Sequence, residues 1–252
     1  MRATTVLSQF TFAVVLFFVG IVSSAHADGR LLIAIEKGEL ATVEKLLKQG
    51  ADPDFKNADG DPAIFLALVK RQLKIAELLL DHGAKPNIKN RFGAPILITA
   101  AGSGDKSVVK KLLQKGADPN ARFERYDGVT ALMLAAQDGH SEIVEMLLAK
   151  GADIDMKTVT GDTALIAGTA RGDEKVVKML LKAGAAVNAT TKTGYTALFI
   201  AVSDARLDIV KLLLANGADP SIKNEDGETV MVLAKRMREQ DIIDAIKAKS
   251  GQ

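Results

Sequence analysis

The apolar positions of this chain fall into short clusters that recur. Paired leucines are followed two residues later by Gly-Ala in "LLKQGAD", "LLDHGAK", "LLQKGAD", "LLAKGAD", "LLKAGAA" and "LLANGAD". The glycines are Gly50, Gly83, Gly116, Gly151, Gly184 and Gly217, and their spacings are 33, 33, 35, 33 and 33 residues. A fixed period of this length marks a stacked-repeat architecture, in which each unit buries its apolar face against the next.

The unit from Tyr126 to Thr158 shows the pattern best. Asp127-Gly128 is a turn signal. Thr130 is placed to cap a first helix, in which Ala131, Leu132, Leu134, Ala135 and Ala136 form a narrow apolar face. Gly139 breaks that helix. Ser141 opens a second, whose stripe is Ile143, Val144, Leu147 and Leu148 at helical spacing. Gly151 then suits a left-handed C-cap, where a side chain is unfavourable. The prediction is helix, turn, helix, loop.

Period, "TAL", Gly139-His140, "EIVEMLL" and "GAD" together resemble the ankyrin repeat. The resemblance implies an all-α fold, an ankyrin-repeat solenoid of stacked helix-turn-helix units with projecting loops. Residues 28–57 read as a shortened first unit. Full repeats follow at 58–90, 91–123, 126–158, 159–191 and 192–224, and residues 225–252 form a more polar terminal cap. Pro62 and Pro95 replace the capping threonine in two units, a position where the missing N–H is tolerated. Arg71, Ala205 and Arg238 replace the glycine between the helices. Gly168 takes a place that elsewhere holds alanine.

The N-terminus follows a different rule. Arg2 is the only charge in the first 27 residues, and the apolar run from Phe10 to Val22 is 13 residues long. That is too short for a helix to cross about 30 Å of hydrocarbon. Small residues follow, ending in Ala25-His26-Ala27. This order predicts a secretory signal peptide over residues 1–27, cleaved between Ala27 and Asp28, and a periplasmic or secreted protein.

The net charge is +2, and loss of Arg2 would leave +1. Such balance predicts no pull toward nucleic acid or an anionic membrane. Cysteine is absent, so disulfides are excluded. Downstream of the leader the only histidines are His82, beside a helix C-terminus, and His140, at a helix start. No nucleophile elbow or P-loop occurs, and "GSGDK" at 102–106 reads as turn and cap. The chain is therefore expected to have no catalytic residues, no cofactor and no metal.

The family resemblance implies a concave face built from loop tips and first helices, with a protein partner seated there and the chain itself a monomer. Mapped unit by unit, the expected partner-binding residues are Arg91, Phe92, Tyr126, Asp127, Gln137, Asp138, Arg171 and Tyr195. The three aromatics stand at turns in a chain with two tyrosines, nine phenylalanines and no tryptophan, and aromatic anchors are enriched at interfaces. A row at the same loop position, Lys56, Lys89, Arg122, Lys157, Thr190 and Lys223, reads either as a surface for an acidic partner or as charges neutralised by nearby aspartates. The two extra residues, Glu124 and Arg125, lengthen one loop. The expected function is an exported protein-interaction module. An inhibitor or immunity-type protein capping an envelope hydrolase, and a stress-related adaptor with several partners, are the alternatives.

Overall fold

In a computed structural model of the protein, residues 27–250 are described. Apart from Ala27, the predicted leader lies outside them. The described residues form seven helix pairs in two compact units, one ending at Arg91 and the other running from Phe92.

The first unit holds α1 (27–37), α2 (Leu40–Lys48), α3 (Ala63–Val69) and α4 (Leu73–Asp81). Its core is the apolar stripes of these helices, with Leu31, Ile35, Leu46, Ile64, Leu79 and Leu80 fully buried. Such burial is the main favourable term in a fold of short helices, which are marginal alone. Pro62 stands at the N-cap of α3, as its sequence position predicts. The loops are tied along the stack by carboxylates. Asp28 Oδ1 accepts the Asp52 N–H at 2.7 Å, and Asp54 Oδ1 accepts the Lys85 N–H at 2.8 Å. Asp28 thus supplies to the Asp52 loop what Asp54 supplies to the Lys85 loop.

The second unit holds α5 (Ile96–Gly102), α6 (Lys106–Gln114), α7 (Ala131–Gln137), α8 (Ser141–Ala149), α9 (Ala164–Arg171), α10 (Glu174–Lys182), α11 (Ala197–Ser203), α12 (Leu207–Ala215), α13 (Val230–Met237) and α14 (Gln240–Ser250). Thr130, Thr163 and Thr196 cap α7, α9 and α11, each hydroxyl accepting from the N–H three residues on at 3.2–3.3 Å. Asn120, Asp155 and Asn188 continue the side-chain ladder, accepting from the N–H of Asp153, Ala186 and Asp219 at 2.7–2.8 Å.

Backbone bonds join the tips as well. The N–H groups of Val159, Lys192 and Glu225 donate to the carbonyls of Asp127, Thr160 and Thr193. Gly161 permits this approach. Its φ is +89°, and a Cβ there would lie 2.9 Å from the backbone of Thr191 and Lys192. Gly168 likewise admits Val176, whose Cγ1 comes within 3.0 Å of the missing Cβ. The glycine that stands where other repeats hold alanine is a packing contact. Arg71, Ala205 and Arg238 adopt the left-handed backbone of the glycine they replace, with φ between 53° and 63°.

The inserted residues add a feature that an all-helical reading lacks. Arg122–Phe123 (β1) and Val129–Thr130 (β2) pair antiparallel as a small hairpin. Glu124 and Arg125 extend its turn, and the Phe123 and Tyr126 rings stack with centroids 5.9 Å apart.

Candidate functional site

Within the second unit, the face made by the tips and first helices carries a hollow of about 610 Å³. Its floor has a sequence cause. Counting back 33 residues from α9, Ala167 stands where α7 has Leu134, and Ala170 where α7 has Gln137. Counting forward, α11 has Ile200 and Ser203. Two alanines thus interrupt a row of larger side chains. Met133 and Gln137 line the hollow from one side, and Ile200 from the other.

The tips close its upper end. Tyr126 is 64% exposed and borders the hollow beside Asp127, which has a left-handed backbone at φ 52°. Asp162 is held in a hydroxyl network, its Oδ2 accepting from Thr160 Oγ1 at 2.6 Å and from Thr158 Oγ1 at 3.3 Å. Arg171 closes the lower end at the C-terminus of α9. Asp127, Asp162 and Arg171 are the charged residues lining the hollow.

Four of the eight residues singled out in the sequence therefore meet here: Tyr126, Asp127, Gln137 and Arg171. The other four stand elsewhere. Arg91 belongs to the first unit, where Asp59 and Asp61 hold its guanidinium at 2.9 and 3.4 Å, so it is tied to the turn one repeat before its own. Phe92 is 49% exposed, at the start of the second unit. Asp138 lies on the far side of α7, its Oδ2 near Gly102. Tyr195 is half-buried and packs edge-on against the core ring of Phe199, centroids 5.3 Å apart, where it covers apolar surface. Ala170 is among the inner-helix residues that the repeat mapping places on this face, but sequence reasoning missed Ala167; the signal was its small size between Leu134 and Ile200.

Two members of the basic row bond along the stack in the second unit. Arg122 Nη2 donates to the Lys157 carbonyl at 2.9 Å, and Lys157 Nζ donates to the Thr190 carbonyl at 3.1 Å. These cations serve the stack. His140 stands at the start of α8, as its sequence position predicts. Its side chain does not cap α8; Nε2 lies 3.2 Å from the carbonyl of Gly102 in the preceding repeat.

Among the described residues, no three His, Cys, Asp or Glu side chains gather where a metal could be held. No helix among them is long and apolar enough to cross a membrane.

Repeated helix pairs with bonded tips and a recessed face define a stacked-repeat recognition scaffold. The chain belongs to the ankyrin-repeat family: a model of ankyrin repeats in three copies matches residues 31–123, 121–191 and 167–251. Ankyrin repeats are protein–protein interaction modules, and their fold is a non-catalytic scaffold. Comparison with curated proteins finds no match. Among solved structures, the chain is similar to the ankyrin repeat domain of Bcl-3, described as a unique member of the IkappaB protein family. That domain is 31% identical, with a TM-score of 0.75 over 86% of this chain and 97% of the other.

Proposed function

We propose that this chain is an exported protein-interaction module without enzymatic activity, and that it holds a protein partner on the face of the tips and first helices of its second unit. The observation that carries this reading is the hollow between Tyr126 and Arg171, an apolar floor with charges at both ends and an exposed aromatic at its rim. Interfaces place an aromatic anchor beside a pocket in this way. Export rests on the leader-like residues 1–27 and the Ala25-His26-Ala27 site.

Two measurements test the two halves. N-terminal sequencing of the mature protein should begin at Asp28; a cytosolic protein starting at Met1 overturns export. A photo-crosslinking residue at position 126 should capture a protein in cells, and one at Lys182, on a second helix, should not. Equal capture from both positions overturns the face. A single stoichiometric hydrolase among the products would favour the inhibitor reading, and many weak partners the adaptor.

A further inference from the structure

We propose that the hollow is a subsite for one large aliphatic side chain, carried on an extended segment of the protein partner, with a basic residue two positions to one side of it and an acidic residue two positions to the other. The inference rests on the reading that this face holds a protein.

The aliphatic side chain follows from the floor. Ala167 and Ala170 recess α9 between the side walls formed by Met133 and Ile200. Leu134 and Ile200 mark the ordinary height of the row, so a partner side chain of about leucine size would restore it.

The charges follow from the two ends. Asp162 stands just before the N-cap Thr163, beside Asp127, and makes the upper end acidic. Arg171 ends α9, and Lys175 and Lys178 lie beyond it around a neighbouring hollow. Asp173, whose Oδ1 accepts the Val176 N–H at 3.0 Å, and Glu174 line that hollow too, leaving three cations against two carboxylates. A partner base is favoured at the tips and a partner acid at Arg171.

The extended conformation follows from the span. From Ala164 to Arg171, α9 rises about 10 Å, and Asp162 lies one residue before the extended N-cap Thr163, so the two ends stand at most about 17 Å apart. An extended chain covers about 13 Å in four residues and returns every second side chain to the same face.

The test uses two capped synthetic peptides, Lys-Ser-Leu-Ser-Glu and Glu-Ser-Leu-Ser-Lys, which present the same pattern in opposite chain directions. Each is titrated into the ¹⁵N-labelled protein to millimolar concentration. One of them should shift the amides of Ala167, Ala170 and Arg171. Replacing its leucine by alanine should weaken binding about tenfold, from the apolar area lost. Ala167→Leu should weaken the parent peptide about as much by raising the floor of the hollow to the level of Leu134 and Ile200. This variant should fold, since leucine already stands at the matching position 134. Arg171→Glu should weaken binding several-fold at low salt, and less at high salt.

The subsite is overturned if neither peptide binds, if the shifts lie elsewhere, or if Ala167→Leu binds like the parent. Crosslinking at position 126 separates the two levels. A partner captured there whose affinity ignores Ala167→Leu leaves the face standing and removes the subsite. Capture that does not distinguish 126 from 182 removes the face itself.

Discussion

Arg122 and Lys157 hold the same position in successive repeats, and the guanidinium of the first donates to the carbonyl of the second at 2.9 Å. The ammonium of Lys157 repeats the move on Thr190. Each cation therefore satisfies a backbone acceptor one repeat further along, and its charge is directed down the stack. A carbonyl left without that donor is still open to water here, so the loss is modest. Arg122→Ala should cost about 0.5–1.5 kcal/mol, the ordinary net worth of such a bond. Urea denaturation measures it. Partner binding by this variant should keep the parent's salt dependence; a reduced salt slope would return the row to the interface.

The glycines of the tip turns divide by what they face. At Gly161 an added Cβ meets backbone at 2.9 Å, whereas at Gly227 nothing lies within 4 Å. Both have positive φ, +89° and +76°, so alanine is strained at either position by about 1–2 kcal/mol. Only Gly161→Ala adds a clash with immovable atoms, worth about 1–3 kcal/mol more. The ordering is the prediction: Gly161→Ala should lower stability clearly more than Gly227→Ala. Equal losses would mean that the tip contact gives way easily.

This distinction also shows how far the sequence could be read. Helix pairs, caps and left-handed turns were legible because each repeats at a fixed interval and each has a local cause, as with Thr130, Thr163 and Thr196. Tip residues were harder. Tyr195 and Tyr126 look alike in sequence, yet one lies over Phe199 and the other beside Phe123 at the end of a hairpin. Arg91 resembled a free tip charge, but two aspartates of the preceding turn claim it. The hollow itself was written in Ala167 and Ala170. It becomes visible only when equivalent positions are compared across repeats, since an alanine in a short helix is unremarkable alone.

One ion pair links neighbouring second helices within the second unit. Lys106 Nζ lies 2.6 Å from Glu142 Oε2, and its hydrogen bond and charge hold the Glu142 carboxyl below its ordinary value of 4.5. A carboxyl with a lowered folded-state pKa contributes stability above its unfolded value, and the contribution fades as pH falls through the folded one. Glu142→Gln should therefore be slightly less stable than the parent at neutral pH, and the two should converge in acid below that ordinary value. Both groups are exposed, so molar salt should also close the gap. Urea midpoints across pH, with and without salt, read the difference. A gap that widens in acid would contradict the pairing.

The two tyrosines give the sharpest contrast between folding and recognition. Tyr195 is half-buried against Phe199, a ring that is 1% exposed, and its backbone N–H donates to Thr191 Oγ1 at 3.1 Å. Removing the ring uncovers the core above α11. Tyr195→Ala should lower the melting temperature, with a loss of about 1–3 kcal/mol for a partly covered aromatic. Tyr126 is 64% exposed and touches Phe123 at the hairpin, so Tyr126→Ala should stay within about 0.5 kcal/mol of the parent, as surface changes do. Its effect should appear in binding instead. Against the partner captured at position 126, truncation of a central aromatic anchor should cost about 2 kcal/mol, roughly thirtyfold in affinity. Melting curves and titration calorimetry on the two variants separate these roles. If Tyr126→Ala binds like the parent while Tyr195→Ala loses affinity without losing stability, the anchor is the ring above Phe199, and the anchor point must be moved two repeats along the stack.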